Sequence, residues 1–182
     1  AFDEQYERYV EVPSDVIPFE ERPWMKAAEI VDATVSALSS GEFRHGRINL
    51  ANGDMVGHTG DRDAAILAMS TVDHALGRIL AGIKALDGVA LVTADHGNCE
   101  EMFERHKKTG AIVFDEAGRP KAKTSHTTNP VPLTLYDPHG QVSAPLQVPD
   151  GGAGLGNLAA TVLNLLGFEA PEDYLPSLLK GL

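Results

Sequence analysis

The sequence contains only one cysteine, Cys99, among its 182 residues. No disulfide can therefore form within the chain, and we expect a reduced, cytoplasmic setting. Positive charge is also scarce, because 15 Lys and Arg stand against 26 Asp and Glu and leave a net charge of −11. A field of that sign disfavours nucleic acids and anionic membranes as partners. It still allows a small phosphorylated ligand, because bound divalent cations can reverse the local field.

Long uninterrupted apolar runs are missing too, so the sequence predicts no membrane span. Residues 1–4 show neither the basic start nor the apolar run of a secretory signal. They also lack a Met, and we expect the true start of the protein to lie upstream. With 43% hydrophobic and 23% charged residues, the composition is typical of a soluble globular domain with its own core.

Apolar spacing predicts a succession of helices and short strands. The helical periods cover residues 27–38, 61–86 and 158–166, and short apolar runs predict strands at 48–51, 89–93 and 132–136. The long middle helix has Asp61 as a candidate N-cap. Its apolar stripe is Ile66, Met69, Val72, Leu76, Ile79, Leu80, Ile83 and Leu86. A strand, a helix and a strand in succession favour parallel pairing through a right-handed crossover. We therefore predict an α/β fold with a parallel sheet, in which residues 89–93 are buried on both faces.

Three polar segments carry the side chains that bind metals. Asp54 and His58 lie in a glycine-rich stretch, residues 52–60, for which we predict a loop; Asp95 and His96 directly follow the 89–93 strand; His126 lies in a third polar segment. Oxygen and nitrogen ligands without thiolate suit Mn²⁺, Mg²⁺ or Zn²⁺. Each segment alone is more often an ordinary turn. Together the five side chains exceed the needs of one catalytic ion and favour a two-metal hydrolase or transferase.

The same segments resemble a known family. Asn-Gly-Asp-Met-Val-Gly-His-Thr-Gly (52–60), Thr-Ala-Asp-His-Gly-Asn (93–98) and Thr-Ser-His-Thr-Thr-Asn-Pro-Val-Pro (124–132) are similar, in this order, to the metal motifs of cofactor-independent phosphoglycerate mutases, of the alkaline phosphatase superfamily. The resemblance runs nearly from end to end of the chain. It implies an alkaline-phosphatase-like fold in which residues 1–182 are the C-terminal part of the metal-binding domain. The nucleophilic serine and the inserted substrate-binding domain would lie outside this chain.

The resemblance also implies roles for the five side chains. Asp54, His58 and His126 would hold one divalent cation, and Asp95 and His96 would contribute to a second. Both cations would be Mn²⁺, with Mg²⁺, Co²⁺ or Zn²⁺ as alternatives. The parent enzyme would interconvert 2-phosphoglycerate and 3-phosphoglycerate in glycolysis through a phosphoserine, and the family precedent is a monomer. No catalytic nucleophile is identified in this chain. Ser125 adjoins His126, but we interpret it as part of the loop structure.

Several alternatives stay open on the sequence alone. The parent enzyme could be a phosphopentomutase or a phosphodiesterase of the same superfamily, or the chain could be a non-catalytic truncated product. Glu100 and Glu101 could accept hydrogen bonds from a ligand histidine or simply supply negative charge at a helix start. Cys99 reads as a small packing residue. The basic residues within 104–123 are interleaved with acids and predict a solvated hairpin turning at 115–118.

Overall fold

The computed structural model describes residue 3 and residues 5–180. Most of the segment that bears on a secretory signal, residues 1, 2 and 4, therefore lies outside the described residues. The chain divides into two compact units. The first comprises Ala1–Leu86 and His96–Val131, and the second comprises Asp87–Asp95 and Pro132–Leu182.

Three α-helices organise the first unit: α1 at Ala27–Ser39, α2 at Asn52–Gly57 and α3 at Arg62–Ala85, preceded by a 3-10 turn at Phe19–Glu21. The helical periods predicted α1 and α3 correctly. The N-cap prediction is also confirmed, because the Asp61 carboxylate accepts a hydrogen bond from the Ala64 N–H at 2.9 Å. This bond satisfies one of the free donors of the first turn of α3.

The packing face of α3 is built from small residues, and the predicted stripe is wrong at its N-terminal end and at Leu86, which lies beyond α3 and is 44% exposed. Buried alanines of α3 pack with Val56 of α2 and with Met102, and farther along α3 the buried Ala75 and Ile79 meet α1. Ile66 and Met69 are 52% and 45% exposed. Hydrophobicity alone favoured the larger side chains, whereas close approach of two helices selects alanine. By length and composition α3 also passes as a membrane span. Its alanine face packs on helices, as in the core helix of a globular unit.

The segment 48–60 differs from expectation in two ways. Residues 52–60 were predicted to be a loop, but Asn52–Gly57 is the short helix α2. Its start is fixed by the buried Asn52, whose side-chain amide donates to the Pro23 carbonyl at 2.8 Å. Residues 48–51, all within the described part of the chain, form no strand. A strand needs a hydrogen-bonded neighbour for its backbone groups, and this apolar run has none there.

An irregular hairpin forms the outer part of the first unit. Antiparallel bridges join Phe103 to Ala122, Arg105 to Ile112 and Phe114 to Pro120. The turn predicted at 115–118 is confirmed, since the Gly118 N–H donates to the Asp115 carbonyl at 3.0 Å. Within the hairpin, Lys121 pairs with Glu104 at 2.9 Å and Arg119 with Asp115 at 3.0 Å. The predicted solvated hairpin is therefore confirmed.

The second unit contains strands β1 at Ala90–Thr93 and β2 at Leu133–Tyr136, and helix α4 at Asn157–Leu165. The two strands pair antiparallel, with Ala90 opposite Tyr136. The prediction of a parallel sheet is therefore wrong for the two strands of the described residues. Burial of 89–93 on both faces is also wrong, because β1 is only half-buried. A short β-branched run signals a strand, but the direction of its neighbour depends on contacts distant in sequence.

Candidate metal centre

Helix α2 places an acid and an imidazole on one face. Asp54 and His58 are four residues apart, a spacing that makes helix side chains neighbours. The His58 Nε2 lies 3.1 Å from the Asp54 Oδ1. The loop predicted for this stretch would not have fixed that pairing, so the helical conformation is what orients the two side chains together.

Two further histidines converge on the same carboxylate. The His126 Nε2 lies 3.0 Å from the Asp54 Oδ1 and 3.0 Å from the His58 Nε2. The His96 Nε2 lies farther off, 3.9 Å from the Asp54 Oδ1. The His96 and His126 rings are stacked, with centroids 3.6 Å apart and planes inclined by 18°. Four of the five predicted ligands therefore meet in the first unit. The fifth, Asp95, belongs to the second unit, and its assignment as a ligand stays a prediction.

The spacing of these atoms fits a metal site. One atom from each of Asp54, His96 and His126 can be chosen so that all three lie within 4.8 Å of one another. Two ligand atoms on one tetrahedral ion, each about 2.1 Å from it, lie roughly 3.4 Å apart. The separations of 3.0 to 3.9 Å around the Asp54 Oδ1 bracket that value. A carboxylate oxygen with three imidazole nitrogens is a ligand set for a divalent transition metal.

The tautomer of His58 strengthens this interpretation. Its Nδ1 lies 2.6 Å from the Thr124 carbonyl oxygen, and because a carbonyl can only accept, Nδ1 carries the hydrogen. In the neutral ring, Nε2 then presents a lone pair toward the Asp54 carboxylate. Two acceptors 3.1 Å apart repel each other unless a proton or a metal cation lies between them. A backbone carbonyl that orients a histidine in this way is a common feature of metal sites.

Asn98 holds the Asp54 carboxylate in place. Its side-chain amide donates to the Asp54 Oδ1 at 2.8 Å and to the Asp54 carbonyl at 3.2 Å. Partial burial raises the pKa of Asp54, but the hydrogen bond from Asn98 and the positive charge that the neighbouring imidazoles carry when protonated outweigh burial and leave the pKa below its ordinary value. Asp54 is therefore ionised at neutral pH, as a ligand carboxylate must be.

A family model described as the metalloenzyme superfamily matches residues 1–170. The chain belongs to this superfamily. Among curated proteins, the chain is 46% identical to the 2,3-bisphosphoglycerate-independent phosphoglycerate mutase of Trypanosoma brucei brucei, over 97% of its length. It is 48% identical to the enzyme of the same name from Nicotiana tabacum, over 98% of the chain. The resemblance to cofactor-independent phosphoglycerate mutases is thus confirmed.

A solved structure extends the comparison to three dimensions. The phosphoglycerate mutase of Leishmania mexicana, crystallised at low cobalt concentration, matches 97% of this chain with a TM-score of 0.90 and 45% identity. The present chain covers 32% of that chain and 32% of each of the two curated relatives. It therefore spans about a third of the length of the proteins that it matches and shares the fold of that third.

Two positions of the candidate metal centre require glycine, because neighbouring side chains lie too close to the backbone for a Cβ. A Cβ on Gly57 would lie 2.5 Å from the Asn98 Oδ1. A Cβ on Gly97 would overlap both the Thr127 hydroxyl oxygen and the Glu100 Oε1. Backbone at these two points must come close to side chains that support the site, which only glycine permits. The structure thus identifies the side chains for which these two glycines make room.

Sequence reasoning missed Asn98 and left Glu100 undecided. Asn98 is 5% exposed, but an amide after a glycine has no pattern that predicts which carboxylate it will hold. Glu100 sits in a turn where no helix begins within the described residues, so it does not supply charge at a helix start. The Cys99 thiol donates to the Gly53 carbonyl at 2.6 Å. Its side chain packs against the cluster formed by Val56, Met102 and the buried alanines of α3. Cys99 is therefore a packing residue, as predicted.

Proposed function

We propose that this chain supplies most of the two-metal site of a cofactor-independent phosphoglycerate mutase. The observation that carries the proposal is the convergence of Asp54, His96 and His126 in a chain nearly half identical to enzymes of that name. A carboxylate held by Asn98, and faced by the Nε2 lone pair of neutral His58, suits a cation. Composition is compatible with this, because bound cations can reverse the local field of a chain of net charge −11 where a phosphorylated substrate binds.

The resemblance to the mutases divides the ligands between two ions. Asp54, His58 and His126 have their facing atoms within 3.1 Å of one another, and we assign them to the first ion. We assign His96 to the second ion together with Asp95; the His96 Nε2, 3.9 Å from the Asp54 Oδ1, is also within reach of the first. We propose Mn²⁺ for both, with Mg²⁺, Co²⁺ or Zn²⁺ as alternatives. When bound, such ions neutralise phosphoryl charge and lower the pKa of a nucleophilic hydroxyl.

The activity proposed for the whole protein is the interconversion of 2-phosphoglycerate and 3-phosphoglycerate in cytoplasmic glycolysis. A serine takes the phosphoryl group from the substrate and returns it to the neighbouring hydroxyl. We propose that this serine belongs to a part of the protein outside the present chain. The 182-residue chain should then show no mutase turnover alone. Normal turnover by it, or turnover of only pentose phosphates or phosphodiesters by the whole protein, would refute the assignment.

Metal binding tests the site directly. We expect the chain to bind Mn²⁺ measurably by isothermal titration calorimetry, and the isosteric change Asp54→Asn to weaken binding by at least about 10-fold, because it removes the only anionic ligand of the first ion. Asp73→Asn makes the matched control, since Asp73 lies on the exposed face of α3. Equal affinity of the wild type and Asp54→Asn would show that the convergence is not a metal site.

A further inference from the structure

Glu100 joins the two loops that carry His96 and His126, residues 96–101 and 124–129, called here the ligand loops. Its Oε2 accepts a hydrogen bond from the Asn98 N–H at 2.6 Å. Its Oε1 accepts from the Asn129 side-chain amide at 2.9 Å and from the Thr127 hydroxyl. One carboxylate therefore fixes its own loop and the other loop at the same time, across 27 and 29 positions of sequence.

The contacts of Glu100 lie next to the two histidines in the sequence. A backbone hydrogen bond from the Thr127 N–H to the Gly97 carbonyl, 2.9 Å long, pairs the two ligand loops. Gly97 directly follows His96, and Thr127 directly follows His126. The Glu100 carboxylate and the Thr127 hydroxyl lie so close over Gly97 that no Cβ would fit there. Displacing Glu100 would free this pairing and, with it, the stacking of the His96 and His126 rings at 3.6 Å.

The charge state of Glu100 suits this role. Burial would raise the pKa of its carboxyl, but the hydrogen bonds from Thr127, Asn129 and backbone N–H groups lower it below the ordinary value. An ionised carboxylate is an acceptor only and can take several donors at once. The neighbouring Glu101 has a different main partner, because its carboxylate pairs with the Lys123 ammonium at 2.6 Å, and it shares the Asn129 amide with Glu100. The two adjacent acids thus have the same charge, but Glu100 holds the Asn98 N–H and the Thr127 hydroxyl in addition.

We propose that Glu100 is a positioning residue that sets the separation of His96 and His126, and thereby the metal affinity of the centre, without binding metal itself. The effect on affinity rests on the proposed metal centre, whereas the effect on ring separation does not. Loss of a group that orients a metal ligand typically weakens metal binding by about 10-fold to 100-fold. Glu100→Gln keeps the size of the side chain but replaces one acceptor oxygen by a donor.

The test compares Glu100→Gln with Glu101→Gln, an adjacent change of identical chemistry. Binding of Mn²⁺ alone is measured by calorimetry, and ring proximity by nuclear Overhauser contacts between the His96 and His126 ring protons in the metal-free chain. We expect Glu100→Gln to weaken Mn²⁺ binding by about 10-fold or more and to diminish the ring contacts. Glu101→Gln should leave Mn²⁺ affinity within about 2-fold of the wild type, because the main partner of Glu101 is the Lys123 ammonium and not the Thr127 hydroxyl.

Thr127 supplies a second route if Glu100→Gln folds poorly. Thr127→Val removes the hydroxyl and should reproduce the loss, whereas Thr127→Ser keeps the hydroxyl and should restore wild-type behaviour. The double variant should lose little more Mn²⁺ affinity than Glu100→Gln alone, because both changes disrupt the same hydrogen bond between Thr127 and Glu100.

Unchanged ring contacts in both Glu100→Gln and Thr127→Val would overturn the inference. Equal losses of Mn²⁺ affinity in Glu100→Gln and Glu101→Gln would overturn it too, because charge rather than position would then be responsible. Should the wild type fail to bind Mn²⁺, the proposed metal centre would be wrong, and the ring contacts alone would decide the role of Glu100.

Discussion

The same substitution, glycine to alanine, should have opposite effects at two helical positions of the first unit. Gly77 lies within α3 and has nothing within 4 Å of an added Cβ. Gly77→Ala should therefore stabilise the chain by about 0.5–1 kcal/mol, which is the usual gain in a helix interior. Gly57 ends α2, where an added Cβ would meet the Asn98 Oδ1 at 2.5 Å and its Cγ at 2.9 Å.

The magnitude at Gly57 depends on whether Asn98 can move away. Asn98 is buried, and its amide is held by Asp54; a hydrogen bond to a charged acceptor is worth about 1.5–3 kcal/mol. Moving aside would cost more than tolerating the overlap, for which overpacking gives about 1–3 kcal/mol. Subtracting the helix gain, we expect Gly57→Ala to destabilise the chain by about 0.5–2 kcal/mol.

A double-mutant cycle, measured by urea unfolding at neutral pH, isolates the contact. In an Asn98→Ala background the overlapping atoms are gone, so Gly57→Ala should lose most of its cost. The Cys99 Sγ, 3.0 Å from the added Cβ, would still have to shift slightly. Coupling of about 1–2 kcal/mol is expected for residues in direct contact. The reasoning would be refuted if Gly57→Ala stabilised the chain as much as Gly77→Ala does.

Two further predictions concern the second unit and the pH dependence of stability. Thr161 is fully buried, and its hydroxyl accepts from the Leu178 N–H at 2.9 Å; Thr161→Val should cost about 1–3 kcal/mol, because that donor is left unpaired. Thermal unfolding should show the loss, and an unchanged midpoint would contradict the contact. The pKa values of Asp54 and Glu100 lie below the ordinary 3.8 and 4.5, so their contribution to stability is present above those values and is lost as pH falls through the lowered ones. Urea midpoints at successive pH values should fall less steeply in Asp54→Asn than in the wild type, and identical profiles would count against the lowered pKa of Asp54.

Local patterns predicted the elements that local chemistry decides. The period of α1 and α3, the N-cap at Asp61 and the turn at 115–118 all depend on residues within a few positions of one another, and all are present. Helix α2 was missed because its glycines weaken helix propensity. Its start depends instead on the contact of Asn52 with Pro23, 29 residues away. The antiparallel direction of β1 and β2 was missed for the same kind of reason.

The same distinction between local and distant contacts applies to the candidate site. The three motifs, taken together with the family resemblance, selected Asp54, His58, His96 and His126, and the structure brings these four side chains together. The groups that hold them were not recognisable, since Asn98, Glu100 and the Thr124 carbonyl act through partners 44, 27 and 66 positions away. An amide, an exposed acid and a backbone oxygen have no pattern that names such partners in advance.

The supports of Asp54 and His58 together call for a positive charge between them. The Thr124 carbonyl commits the hydrogen of neutral His58 to Nδ1, and Asn98 helps to keep Asp54 ionised. In that state a lone pair and a negative charge face each other at 3.1 Å, which is repulsive unless a proton on His58 or a bound cation lies between them. A bound cation in that place is the first ion of the proposed centre, and it binds in competition with that proton.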